Sequence, residues 1–426
     1  MLKYRWQKLC LFAALFTLCS LLIGCDSFVN AWISTRSTPT GTSLHSTLPG
    51  NNVAISSCQD RPSAPVVTRN APGRAQQTLY VSTYTHLYAM NASNGTVRWC
   101  QQVKSTRQFE CPPGAHCPQH PFPTFGTPKV INDAVYICIS QDGDYTVAFN
   151  RKSGSLLWSA PGDCGVVNIP FADYAAPLVK DNIVYSGSYA LRAQDGKALW
   201  RVAINQDADG TLSLQALVDN TIYANTQNHI YAIDARNGKI LWRSAPDESE
   251  PISGPLVVSD QRIFVGTLGS IGSPDAGSFY ALDANSGKVL RNYHLHFYQG
   301  AVVQNGNIYI GAQNLYALNK QTGSVLWVKQ LAGQGTGMSV SPGNVLYINA
   351  DGTYALNSMN GKVLWHESLG SSPSVYFVPP VVVSGVVYLA SIDGQGRSIL
   401  YALNASNGTE YWHSNYPYQL EPLTVA

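Results

Sequence analysis

The segment YAMNASNGTVRW at residues 88–99 returns as YALNASNGTEYW at residues 401–412. Between them the same phrase recurs as YTVAFNRKSGSLLW (145–158), YALRAQDGKALW (189–200), YAIDARNGKILW (231–242), YALDANSGKVLR (280–291), YALNKQTGSVLW (316–327) and YALNSMNGKVLW (354–365). Each of the eight copies places an alanine six residues before a glycine. Seven of them place a tryptophan four residues after it: Trp99, Trp158, Trp200, Trp242, Trp327, Trp365 and Trp412, with Arg291 in the fifth. The alanines are spaced 59, 42, 42, 49, 36, 38 and 47 residues apart, a period that suits one four-stranded propeller blade per copy. A chain written this way builds its core between copies, because no single unit buries its own faces.

One copy shows why the phrase has this form. In YAIDARNGKILW, Tyr231 and Ile233 point to one face and Ala232 and Asp234 to the other, the alternation of a half-buried strand. Asn237-Gly238 supplies a turn in which positive φ is cheap, and the chain reverses into Lys239–Trp242. Upstream of the copies stand further strand pairs, such as APLVKDNIVYSGS (176–188), GPLVVSDQRIFVG (254–266) and VPPVVVSGVVYLA (378–390). The expected fold is all-β: an eight-bladed β-propeller of four-stranded antiparallel blades. The small alanine lets blades approach, and the tryptophan fills the wedge between them. Blade one has no evident inner strand directly before it. The C-terminal Glu421-Pro422-Leu423-Thr424-Val425-Ala426 is expected to supply one and close the ring, with Ala64-Pro65-Val66-Val67 as the competing segment.

The pattern Ala-x-Asp/Asn-x-x-x-Gly-x-x-x-Trp resembles the tryptophan-docking repeat of quinoprotein, or PQQ-like, β-propellers. The resemblance covers about residues 77–426 and implies eight blades. Arg291 departs from it, so the contact after blade five is expected to be weaker or differently filled. The enzymes of this family are PQQ-dependent dehydrogenases, and resemblance to them implies a tryptophan floor, an adjacent-cysteine disulfide, Ca²⁺ and a catalytic Asp. No Cys-Cys pair occurs in this chain, and both tryptophans outside the repeats, Trp6 and Trp32, precede the propeller. No catalysis and no cofactor are expected, with PQQ and Ca²⁺ as the alternatives.

The N-terminus carries the second signal. MLKYRWQKLCLFAALFTLCSLLIGC opens with basic residues and continues in an apolar run from Leu9 to Ile23, too short for an ordinary transmembrane helix but suited to a signal peptide. Leu22-Ile23-Gly24-Cys25 resembles the lipobox of bacterial lipoproteins, which implies cleavage before Cys25 and lipid attachment to it. The expected organisation is a signal peptide at 1–24, a flexible Ser/Thr/Pro-rich tether at 25–76 and the propeller at 77–426. The net charge of +2 includes Lys3, Arg5 and Lys8, so without residues 1–24 it becomes 24 basic against 25 acidic groups, or −1. That balance, with no basic run, excludes nucleic acid as a partner.

Beyond Cys10 and Cys19 of the signal and Cys25, six cysteines remain: Cys58, Cys100, Cys111, Cys117, Cys138 and Cys164. In an exported chain an even number reads as up to three disulfides, here stapling the tether and the insertion at 101–127 to blades one and two. Cys111, His116, Cys117 and His120 are the alternative as soft metal ligands. Asn205, Asp207 and Asp209 imitate the start of a Ca²⁺ loop, but the twelfth position is Ala216 instead of a bidentate Glu. Gly333-x-Gly335-x-Gly337 precedes a strand instead of a helix and suits a linker better than a phosphate cradle. His294 and His296 read as packing or surface residues. The insertion, with Phe109, Phe122 and Phe125 among prolines, is the expected partner contact.

These features converge on a monomeric propeller outside the cytoplasm, held to a bacterial membrane through Cys25 and binding an unidentified protein as an assembly scaffold. In repeat type, blade number and anchor it is similar to the outer-membrane assembly lipoproteins. The alternatives are a PQQ- or small-molecule-binding dehydrogenase or sensor, and a cell-surface glycan or cell-wall binder.

Overall fold

The computed structural model describes residues 55–58, 66–68, 71, 77–83, 85–103, 124–140, 144–164, 176–204, 210–268, 277–293, 295, 300–311, 314–332, 337–369, 379–392, 397–416, 420 and 423–426. All belong to one compact unit, Asn51–Ala426. Among them every regular element is a strand, and the strands form eight antiparallel sheets. Blade four shows the plan: Ser213–Val218, Thr221–Asn225, Ile230–Asp234 and Ile240–Ser244 pair in chain order. First strands of neighbouring blades contact one another, so they line the axis, and the strands run outward from first to fourth. The third strand of blade four is buried along its whole length, not on one face alone as its alternation suggests, because a neighbouring blade covers each face.

The repeated phrase is the joint between blades. Trp158 of blade two donates its indole N–H to the Ala193 carbonyl of blade three at 2.9 Å. Trp99, Trp242, Trp327, Trp365 and Trp412 donate likewise to Arg151, Ala284, Ser358, Ala405 and Ala92 of the next blade. Each acceptor directly follows the Asp, Asn or Arg that opens the turn between third and fourth strands. Where that residue is Asp or Asn its side chain organises the turn: Asp283 Oδ1 accepts the N–H groups of Asn285 and Ser286 at 3.1 and 2.8 Å. The glycine is required twice over. Gly196 has φ +71°, and a Cβ there would lie 2.6 Å from Cε3 of Trp158. Trp200 packs on Gly238 in the same way, but its indole N–H has no partner among the described residues.

The joint after blade five is built differently, as the missing tryptophan implies. Tyr293 and Arg291 together occupy the space over Gly323, with the guanidinium 5.9 Å from the Tyr293 ring centre. The carbonyl that would accept an indole N–H, that of Lys320, accepts from Arg262 Nη1 at 3.0 Å. Lys320 is itself buried at 7% exposure, and its ammonium pairs with Asp260 of blade five and donates to Ser259 at 3.2 Å. One aromatic contact is thus replaced by a small ionic network.

The ring closes through both ends of the chain. Thr424–Val425 pairs with Thr78–Ser82 as the inner strand of blade one, in the register Leu79↔Val425 and Tyr80↔Thr424. The expectation of closure by the C-terminal strand therefore holds. The competing segment also pairs, but elsewhere: Val66–Val67 lies against Glu410–Tyr416, the outermost strand of blade eight. Ile55–Ser57 does the same on Val97–Val103 of blade one. The tether expected to run to residue 76 is corrected at these two places, where unsatisfied edge strands capture extended chain despite its polar composition. Ala71 N then bonds Ser93 O at 2.8 Å, so the N-terminal segment straps the outside of the seam between blades eight and one.

Among the described residues two disulfides staple blades one and two. Cys58 bonds Cys100 at the blade-one end of the strap, and Cys138 bonds Cys164, tying the second strand of blade two to the chain leaving its fourth. Loop-closure entropy gives each about 4 kcal/mol, on loops opened by sequence separations of 42 and 26. Cys58→Ser/Cys100→Ser is expected to lower stability by about 2–4 kcal/mol in urea unfolding. An unchanged urea midpoint would show that the clasp adds nothing.

Candidate functional site

The two rims of the propeller differ in how far they depart from regularity. On one rim, third and fourth strands are joined by five residues in all eight blades, from 92–96 in blade one to 405–409 in blade eight. First and second strands there are joined by two residues, or by three in blade seven at 342–344. The two-residue turns use left-handed conformations, as at Asp181 and Asn182 with φ 51° and 60°. The opposite rim carries the connections from second to third strand, which run from two residues (187–188) to eleven (268–278). It also carries those between blades, from seven residues (245–251) to twenty (104–123). Turn chemistry therefore sets the first rim, and long irregular connections, where binding residues concentrate, sit on the second.

The rim between blades two and four holds a small, largely enclosed cavity lined by the buried Cys138, Asp163, Cys164, Tyr185, Ser186 and Ser213 among others. Asp163 is buried at 5% exposure, and its Oδ2 accepts from Ser188 Oγ at 2.8 Å. The backbone carbonyl of Asp163 presses on Gly187, where a Cβ would meet it at 1.7 Å. Asp144 Oδ2 accepts from Cys164 N at 3.1 Å. The disulfide and these bonds fix the wall of the cavity, its polar groups serving as donors and acceptors to one another. Among the described residues no three His, Cys, Asp or Glu side chains converge as metal ligands. No helix of the described residues is long and apolar enough to cross a membrane.

Several expected site residues lie outside the described residues: Cys25, Phe109, Cys111, His116, Cys117, His120, Phe122, Asn205, Asp207, Asp209, His294, His296, Gly333 and Gly335. Ala216, at the twelfth position of the imitated Ca²⁺ loop, is a strand residue paired with Tyr223. Phe125 is corrected as a partner contact: it is fully buried, packed with Tyr80, Trp99 and Val135 between blades one and two. An aromatic at the end of a long insertion is where the chain rejoins the core.

A column of aromatic residues escaped the sequence reading. Tyr80, Tyr136, Tyr185, Tyr223, Phe264, Tyr309, Tyr347 and Tyr388 pair across the sheet with the eight repeat alanines. In the seven blades with a tryptophan this residue is a Tyr, with ring centres 5.8–6.3 Å from the indole. Tyr388 and Tyr347 hydroxyls donate to the same carbonyls as the indoles, those of Ala92 and Ala405, at 3.0 and 3.1 Å. Burial pushes Tyr388 up to about 12, which keeps it a donor at any ordinary pH. The signal was present as IVYSG, TIYAN, NIYIG and their counterparts; blade five, which lacks the tryptophan, has Phe264 there.

The comparisons agree with this architecture. A family profile described as "Outer membrane protein assembly factor BamB" matches residues 46–222, 189–296 and 311–425. The structure is similar to that of BamB from Moraxella catarrhalis, with TM-score 0.52 and 14% identity over 84% of this chain and 98% of that one. It is similar also to the computationally designed Ika8 protein, with TM-score 0.55 and 15% identity over 84% and 98% of the two chains. A third similar structure is quinohemoprotein alcohol dehydrogenase from Comamonas testosteroni, with TM-score 0.52 and 16% identity over 68% and 66%. At these identities the likeness is one of fold. No curated protein matches.

Proposed function

Because the chain belongs to the family of the outer membrane protein assembly factor BamB, we propose that it is a non-catalytic scaffold that binds another protein through the irregular rim of its propeller. The observation that carries this reading is the contrast between rims. The turns on one side keep a length of five residues in all eight blades, while the connections between blades on the other vary from seven to twenty residues. The leader-like residues 1–24 and Cys25 support placement outside the cytoplasm on a lipid anchor. The partner class suggested by the family is the machinery that assembles outer-membrane β-barrels.

The test is co-purification of the full chain with barrel-assembly components from native membranes. Replacing residues 104–123 by a short Gly/Ser turn is expected to cut recovery roughly tenfold, with the melting temperature unchanged; tenfold corresponds to about 1.4 kcal/mol of binding. Equal loss on charging the exposed Lys152 and Met359 of the regular turns, K152E/M359E, would overturn the assignment of the rim. The second reading, a PQQ-binding dehydrogenase, is favoured by the quinohemoprotein fold likeness alone. It would be supported by a PQQ- and Ca²⁺-dependent rise in melting temperature, about 2.7 kcal/mol at a hundredfold excess over the dissociation constant.

A further inference from the structure

The outer edges of the blades carry a repeated feature that blade docking does not use. In all eight blades the pairing of third and fourth strands slips at one place, so the residue just before the Trp or Arg is an extra, bulged one. In blades two to seven that residue is leucine: Leu157, Leu199, Leu241, Leu290, Leu326 and Leu364, each 45–53% exposed. In blade eight it is Tyr411, and there the molecule shows what an occupied edge looks like. Val66–Val67 runs antiparallel to it, in the register Val66↔His413 and Val67↔Trp412. Thr68 N and Oγ1 both donate to the Tyr411 carbonyl, at 2.9 and 2.6 Å, and Tyr411 falls to 6% exposure.

The open edges also differ in charge from the covered one. Lys197 and Arg201 flank Leu199 in blade three, and Lys239 and Arg243 flank Leu241 in blade four, all exposed. The equivalent positions of blade eight are Thr409 and His413. Two of the cations are held in place: the Arg201 guanidinium lies 5.1 Å from the Tyr189 ring centre, and Arg243 Nη2 contacts His229 Nε2 at 2.8 Å. Lysine on an open edge, together with a bulge, repels the like-charged edge of a second copy. The same charges favour a strand of opposite sign, since cross-strand partners of opposite charge stabilise pairing.

We propose that the outer edges of blades three and four take an extended segment of a partner protein, an apolar residue set between acidic ones, added as an antiparallel fifth strand. Main-chain bonds beside the bulge supply the pairing, Leu199 or Leu241 is covered as Tyr411 is, and the flanking cations select the acidic segment. This surface is separate from the irregular rim, so its failure would leave the rim reading untouched.

The probe is a blocked, fluorescent peptide, Gly-Glu-Thr-Val-Val-Thr-Glu-Gly, titrated against the full chain by anisotropy. Binding below about 1 mM is expected, weakened roughly tenfold by K197E/R201E/K239E/R243E and by L199D/L241D. Methylating alternate peptide nitrogens on the pairing side should abolish it, a readout that needs no protein variant. No binding, binding indifferent to N-methylation, or equal affinity for a Lys-for-Glu peptide would overturn the proposal. Self-association of the chain through these edges would overturn it in favour of a second copy as occupant.

Discussion

Trp412→Ala is expected to destabilise the propeller by about 4–5 kcal/mol, and Trp327→Ala by about 3 kcal/mol. Both lose an indole docked on the next blade, but the two joints differ in burial and in what else holds them. Trp412 is fully buried, and its core cluster joins residues of blades eight and one, including Leu79, Tyr388, Leu420 and Leu423. Its N–H and the Tyr388 hydroxyl converge on the Ala92 carbonyl at 3.2 and 3.0 Å. A cavity there opens at the joint where the two ends of the chain close the ring, and the link from blade eight ends in the two-residue inner strand Thr424–Val425, whereas blades six and seven are linked through residues 330–337. The urea midpoint at constant slope decides the order. Equal losses would show that the seam is no more dependent on its tryptophan than any other joint.

Gly196→Ala is expected to cost about 3 kcal/mol, against about 1 kcal/mol for Gly306→Ala. Both glycines have positive φ, +71° and +78°, so both changes carry the same backbone penalty. A Cβ at Gly306 meets nothing within 4 Å, while one at Gly196 lies 2.6 Å from Cε3 and 2.9 Å from Cδ2 of Trp158. The indole cannot step aside cheaply, because it is 7% exposed and its N–H is bonded to Ala193. The difference between the two variants therefore isolates the closeness of blade packing from the conformational need for glycine. Equal losses in the urea midpoint would mean the indole yields, and that glycine recurs at this position only for its φ.

Much of this fold was legible because its rules are local. In most copies the Asp or Asn, the Gly and the Trp lie within twelve residues, and each acts on the turn between them or on an adjacent copy. What escaped was set by partners remote in sequence. Val66 and Val67 form a two-residue strand, too short for any alternation to register, and their partners are His413 and Trp412. Arg262 and Lys320 replace an indole contact from 58 positions apart, each unremarkable in its own segment. The tyrosine column was readable, since its spacing to the alanines repeats, but a Tyr in a strand looks like ordinary core until its hydroxyl is seen to share an acceptor. The candidate site was least legible, because a rim assembles residues from several blades and no spacing along the chain encodes which of them meet.

The strap over the seam also determines where tension would travel. Any pull on the chain upstream of residue 55 reaches Ile55–Ser57 first, and Cys58 passes it by covalent bond to Cys100 in the outermost strand of blade one. From there the force enters the outer side of the blade-one sheet instead of falling first on the pairing of Thr78–Ser82 with its closing partner Thr424–Val425. A ring hung from its N-terminal end is thus loaded on its outer wall, and the short inner strand that completes the circle is spared the strain.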